Sequence, residues 1–193
     1  MYGKNSDFYA LQDDLQSVLE WAAKNQLGIA FHKSNVLHMG KNNGHFQYKV
    51  DNSVIPAAKC VKDLGVYVSD DLNFSVHVDR IVAKAHRMGA LVYRSFKCRD
   101  RNFLVQMFVT FVRPMLEYNT TVWSPYQLVQ IKKLERVQRR FSKRIPGLQD
   151  TPYLDRLKIL GLERLELRRI RFDLVMAFKI VKGLNGLVFG DFF

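Results

Sequence analysis

The chain has 193 residues, enough for one sizeable domain or two small ones with a buried core. Its 30 Lys and Arg stand against 18 Asp and Glu, a formal net charge of +12, and 48% of its residues are hydrophobic. That composition excludes a disordered chain and favours a polyanionic partner, nucleic acid ahead of an anionic membrane surface; the bland alternative is a basic surface that serves only solubility.

Periodicity predicts a first helix from about Phe8 to Lys24, with Leu11, Leu15, Val18, Leu19 and Ala22 on one face. Ile29 to Gly40 reads as a strand ended by a glycine. The Asn-Asn-Gly and Asp-Asn-Ser clusters then separate short strands such as Phe46–Val50 and Leu64–Val68, a small antiparallel meander. From Phe74 onward the chain reads as helix after helix. In Ser75–Phe96, Val78, Ile81, Val82, Ala85, Met88, Val92 and Phe96 gather in one sector, and Arg80, Lys84, Arg87 and Arg94 lie roughly opposite. The next helix carries Phe103, Leu104, Met107, Phe108, Phe111, Val112, Met115 and Leu116 and reads as the buried central one, kinked or ended near Pro114. A third starts with Ser124 as N-cap and Pro125 at its first position, and Pro146-Gly147 stops it. Leu128, Ile131, Leu134, Val137, Phe141 and Ile145 face inward there. Lys132, Lys133, Arg136, Arg139, Arg140, Lys143 and Arg144 load the rest, with Glu135 the one acid in the run. A short helix, a break at Gly161 and a long helix ending at Gly183 close the pattern. Both chain ends read as cuts through a larger protein.

Two cysteines, Cys60 and Cys98, are too few for a disulfide framework or a Cys-based zinc site, and read as half-buried thiols of a reducing compartment. The histidines show no HxxxH pair, and His77 and His86 read as surface or helix-side groups. With no signal peptide and no apolar run long enough for a bilayer, a soluble intracellular protein, nuclear or cytoplasmic, with no membrane partner is expected.

The stretch YVSDDL, Tyr67 to Leu72, imitates the aromatic-led aspartate pair of a two-metal polymerase. Two residues, not one, separate Tyr67 from Asp70, and a capped helix follows. Asp70-Asp71 therefore reads as a turn, with Asp71 or Ser75 serving the helix start. Trp123, Tyr118 and Tyr126 are candidates for base stacking, but read better as packing at a helix junction.

Taken in order, LQDDLQSVLEWAAKNQL, KSNVLHMGK, KDLGVYVSDDL, VRPMLEYNTTVWSP, LERVQRRFSKRIPGL and YLDRLKILGLERLELRR resemble the C-terminal part of the reverse transcriptase of non-LTR (LINE-type) retrotransposons. The resemblance runs from about Leu11 to Gly183. It implies an α+β fold: residues 1–73 as the end of the palm, with one helix and a small antiparallel sheet, and 74–193 as an all-helical thumb and the start of the following connection. It places the catalytic aspartates upstream of Met1, so that Mg2+ is implied for the intact polymerase and no cofactor for this chain. Lys33 then stands where the family has a lysine that assists nucleotide addition, and Leu64, Gly65 and Val66 stand in the primer grip. Ala30 and Ser34 depart from the family's usual asparagine and cysteine, and Gly28 and Ile29 disturb the strand, as in a decayed copy. The implied partners are an RNA or RNA–DNA primer–template duplex and the missing upstream fingers and palm. Arg80, Lys84, Arg87, Arg94, Lys132, Lys133, Arg136, Arg139, Arg140, Lys143 and Arg144 are the candidate phosphate contacts, because their excess charge is not balanced by acids at i, i+4. The expected function is a piece of an RNA-directed DNA polymerase that holds the duplex and is inactive alone. The alternatives are a non-enzymatic basic nucleic-acid-binding remnant and an inactive pseudogene product.

Overall fold

Apolar residues at helical spacing coil the start of the chain into α1 (Asn5–Lys24), beginning three residues before Phe8. The computed structural model describes residues 5–40, 43–50 and 53–192, in two compact units, Met1–Phe74 and Ser75–Phe193. The packed line of α1 is rotated from the predicted face. Phe8 stacks on Phe46 at 5.7 Å, and the Gln12 amide pairs with the Lys49 backbone, Nε2 donating to O at 2.8 Å and N donating to Oε1 at 2.9 Å. Helix α1 therefore rests along Phe8, Gln12, Leu15, Leu19 and Ala22, and leaves Leu11, Val18 and Trp21 exposed.

Residues 29–40 do not form the expected strand. Phe31–Lys33 turns as a 3-10 helix because its donors go to local carbonyls, Lys33 N–H to Ala30 at 2.9 Å and Ser34 N–H to Phe31 at 2.9 Å. Val36 alone makes a bridge, parallel to Ala57. The expected meander is two separate antiparallel hairpins: β1 (Lys49–Val50) with β2 (Ser53–Val54), and β3 (Cys60–Asp63) with β4 (Val66–Ser69). Pro56 has no N–H to extend a ladder between them. Asp51, Asn52 and Asn42 of the predicted turns lie outside the described residues.

The second unit opens with α2 (Ser75–Ser95), on which Val78, Ala85, Gly89 and Val92 are buried; His77 is buried too, against the edge of Trp123 at 4.8 Å, and not on the surface as expected. Phe96 lies past the helix end, exposed and edge-on to Phe103. The expected central helix is one helical run in three parts: α3 (Arg101–Met107), a π-helical segment (Phe108–Val112) and α4 (Arg113–Glu117). Pro114 lacks an N–H and its ring crowds the carbonyl a turn before it, and the widened π turn accommodates this, with Arg113 N–H reaching back to Phe108 O. Leu104, Phe108, Val112 and Leu116 are buried, whereas Phe111 is exposed.

A short turn of helix, α5 (Thr120–Trp123), precedes α6 (Leu128–Lys143), so the third helix starts later than expected. Ser124 ends α5 and its hydroxyl bonds Asp173, and Leu128 is exposed. Trp123 is buried with its Nε1 donating to Tyr118 O at 2.8 Å, but Tyr118 and Tyr126 are exposed, not packed into the junction as expected. Then come α7 (Tyr153–Leu160) and α8 (Leu165–Val181), separated at Gly161 as expected. The molecule is thus mixed helix and sheet, with two small two-stranded sheets ahead of a helical unit.

Candidate nucleic-acid interface

Helix α6 carries three kinds of face. Leu134, Val137 and Phe141 are buried. A polar flank, also buried, faces α7 and α8. Glu135 accepts the Tyr153 hydroxyl and, at 3.0 Å, the N–H of Leu165 at the start of α8. Gln138 Nε2 donates to Tyr153 Oη at 3.0 Å and Glu163 O at 2.8 Å, and Arg156 donates to Ser142 Oγ, Thr151 O and Arg139 O. The remaining arc, about 140° wide at 3.6 residues per turn, holds Lys132, Lys133, Arg136, Arg139, Arg140, Lys143 and, at the helix end, Arg144. All but the half-buried Lys133 are exposed.

On α2, Arg80, Lys84, Arg87 and Arg94 form an exposed stripe about 80° wide. Helices α2 and α6 approach closely because Gly89 has no side chain: a Cβ there would stand 3.3 Å from the Phe141 ring. The two basic faces meet over a cavity of about 220 Å3 whose floor includes Gly89, Ala90 and Val137 and whose polar lining is His86, Arg87, Arg140 and Arg144. No carboxylate of the described residues lines it. Two of the α6 cations are held in place by aromatic rings, Arg144 over Tyr93 at 4.0 Å and Arg139 over Tyr153 at 4.7 Å. Burial pushes the Tyr93 hydroxyl up to about 12, against the opposing pull of Arg144 and Arg99, and that hydroxyl donates to Phe141 O at 3.0 Å. On the other side of the arc, Lys132, Arg136 and Arg139 open onto a cleft of about 980 Å3 shared with Lys158 and Arg164.

Several other cations of the unit are paired with acids. Arg168 grips Glu117, with Nη2 to Oε2 at 3.1 Å, Arg171 grips Glu163 at 2.7 Å, Arg164 pairs with Glu166, and Lys158 lies 3.6 Å from Asp155. Among the candidates, Lys133 is taken by Asp79 at 2.5 Å. Lys84, Arg87, Arg94, Lys132, Arg136, Arg139, Arg140, Lys143 and Arg144 have no carboxylate partner among the described residues. Arg80, Lys84 and Arg94 line neither cavity.

The candidates of the first unit are placed as follows. Lys33 is exposed in the 3-10 turn. Leu64 and Gly65 are not strand residues but the two-residue turn between Asp63 and Val66, with φ of +43° and +92°, the signs of a type I′ turn. Leu64 is 82% exposed at the tip, and Val66 is buried. Left-handed φ on an exposed leucine is uncommon. Asp70 and Asp71 lie in the turn after β4, where Asp70 N–H bonds Lys59 O at 3.0 Å and the Asp71 carboxylate accepts Asn73 N–H at 2.9 Å. Ser75 is the first residue of α2, and its hydroxyl accepts from Gln130 Nε2 at 2.9 Å. Among the described residues no group of three or more His, Cys, Asp or Glu is placed to hold a metal ion. Cys60 is half-buried and Cys98 exposed, both as free thiols, and no helix among the described residues is long and apolar enough to cross a membrane.

Sequence reasoning missed His86, Lys158 and Arg164. Gly89 in mid-helix is the one signal of a close helix approach beside His86. Lys158 and Arg164 carry no periodic signal; only the turn at Gly161 brings them to the α6 cleft.

The chain is similar to an uncharacterized protein of Caenorhabditis elegans, B0403.1, with 26% identity over 113 residues, which are 57% of this chain and 57% of the worm protein. The chain thus matches little more than half of that relative's length. No family model matches the chain, and no solved structure matches it.

Proposed function

We propose that this chain is the end of the palm and the thumb of a non-LTR retrotransposon reverse transcriptase, and that it holds an RNA or RNA–DNA duplex without carrying out synthesis itself. The observation that supports this reading is the pair of cationic helix faces on α2 and α6. They flank a cavity that no described carboxylate lines, while Lys158, Arg164, Arg168 and Arg171 are paired with acids. A row of fixed, uncompensated charges displaces counterions from successive phosphates, which is how such a surface gains affinity without reading sequence. The hairpin tip at Leu64-Gly65 is the primer-grip element of this reading, and Lys33 its accessory phosphate contact.

A basic nucleic-acid-binding remnant with no enzyme behind it rests on the same helices, and the two readings part at the hairpin, which only the first requires. The test is fluorescence anisotropy of the whole chain with a short RNA–DNA hybrid across a salt series. Reversing Arg136, Arg139, Arg140 and Lys143 together to glutamate is expected to lower affinity at least about a hundredfold. It is also expected to flatten the log–log salt slope by roughly three and a half units, about 0.9 for each phosphate no longer neutralised. Unchanged affinity and slope would remove the α6 face from the interface.

A further inference from the structure

We infer that the cavity between α2 and α6 is a phosphate subsite in which His86 is a proton-linked contact, so that duplex binding tightens as pH falls. This rests on the nucleic-acid reading above and goes beyond it, because fixed arginines alone give binding no pH dependence near neutrality.

The cavity, about 220 Å3, is large enough for a phosphate with its remaining water, and its polar lining is His86, Arg87, Arg140 and Arg144. Gly89 and Ala90 keep its floor low, so an anion can settle between the helices instead of riding on side-chain tips. The groups facing His86 are Arg87 on its own helix and Arg136, Arg140 and Arg144 on α6. Asp79, two turns earlier on α2, is neutralised by Lys133 at 2.5 Å. Among the described residues, no side chain of the other helices packed on α2 lines the cavity.

In the free chain His86 is therefore an imidazole among arginines. Burial and the charges of Arg140 and Arg136 hold its pKa below the usual histidine value. A phosphate oxyanion in the cavity reverses that balance: it screens the arginines and offers an acceptor to a ring N–H, so the protonated ring becomes the favoured form. Binding then takes up a proton. The proton comes from solvent, no bond to phosphorus changes, and affinity rises by up to about tenfold per pH unit while His86 is protonated in the complex but not in the free chain.

The experiment measures affinity for a short RNA–DNA hybrid at fixed ionic strength between about pH 7.5 and about pH 5.5. It follows the His86 ring proton by NMR through the same titration, free and with duplex or inorganic phosphate. Wild type is expected to gain about three- to tenfold in affinity over that range. His86→Gln is expected to lose most of that gain, whatever its affinity at the upper end. The His86 titration is expected to move to higher pH on loading. A shift with both ligands assigns a general phosphate subsite, and a shift with duplex alone assigns the nucleic-acid backbone. If His86→Gln keeps the full gain, or if neither ligand moves the His86 titration, the inference fails while the nucleic-acid reading stands. If the wild-type chain binds no duplex at any pH, both fall.

Discussion

Replacing Glu135 with glutamine tests whether α6 is oriented by its buried polar flank. Glu135 is 7% exposed, and its two oxygens receive the Tyr153 hydroxyl and the Leu165 N–H. Glutamine has nearly the same shape but one acceptor oxygen, so its NH2 faces one of the two donors. A hydrogen bond to a charged acceptor contributes about 1.5–3 kcal/mol, and a donor left buried and unsatisfied adds a further penalty of about 1–3 kcal/mol. Arg169 raises the stakes. It is 2% exposed, its two terminal nitrogens have no hydrogen-bond partner among the described residues, and Glu135 heads the carboxylates that stabilise its charge, ahead of Glu166, Glu117 and Asp173. Removing one partner of a buried ionic group costs about 3–5 kcal/mol when that partner stands alone. Three acids remain here, so the expected loss for Glu135→Gln is about 3 kcal/mol, out of the 5–15 kcal/mol typical of a whole domain. Urea unfolding followed by tryptophan fluorescence reads it as a lower midpoint at constant m. Glu163→Gln, at the surface with Arg171, is the control and moves the midpoint far less. A loss under about 1 kcal/mol for Glu135→Gln, at constant m, would refute the reasoning.

Two further outcomes are expected. Burial holds the His77 pKa below 6.5, so the unfolded chain binds its proton more readily. The stability it contributes is complete above about pH 6.5 and is lost as pH falls through the folded value, at up to about 1.4 kcal/mol per unit. Urea midpoints taken across that range should fall, and His77→Gln should flatten the slope; an equal slope in the variant would assign the loss elsewhere. At the β3–β4 turn, Leu64→Asn supplies the Asn-Gly pair that a type I′ turn prefers, and should raise the thermal midpoint by relieving about 1 kcal/mol of left-handed strain. A lower midpoint would mean that the leucine side chain itself holds the hairpin.

The long helices were legible because periodicity reports on packing that runs the length of an element. Ser75–Ser95 and the core of Leu128–Lys143 follow directly from apolar residues at three- and four-residue spacing. What was not legible depended on partners distant in sequence. Leu11 and Val18 fit the inward pattern as well as Leu15 and Leu19, and only the seat of Phe8 on Phe46 and of Gln12 on Lys49 decides which line packs. Residues 29–40 have strand composition but pair at Val36 alone. Ser124-Pro125 has the chemistry of a helix start, yet Ser124 is drawn to Asp173, nearly fifty residues on. The cations of the candidate interface were visible as a run of charge; which of them share a cavity was not, because that is set by Gly89 meeting Phe141.

The strongest reason to treat the α6 arc as a binding surface lies in the flank that faces away from it. A helix kept basic for solubility has no need of fixed orientation, since solvent screens a charge equally at any rotation. Helix α6 is fixed on two sides: by the apolar packing of Leu134, Val137 and Phe141, and by a chain of buried hydrogen bonds through Glu135, Gln138 and Ser142. Buried hydrogen bonds are directional, and they favour one arrangement where an apolar seam would tolerate several. Their effect on α6 is to define its rotation and so the direction of the seven cations opposite. Arg139 and Arg144 are then fixed again, each over an aromatic ring. Pre-oriented charge loses little side-chain entropy when a phosphate arrives, which is of use to a binding surface and of none to a merely soluble one.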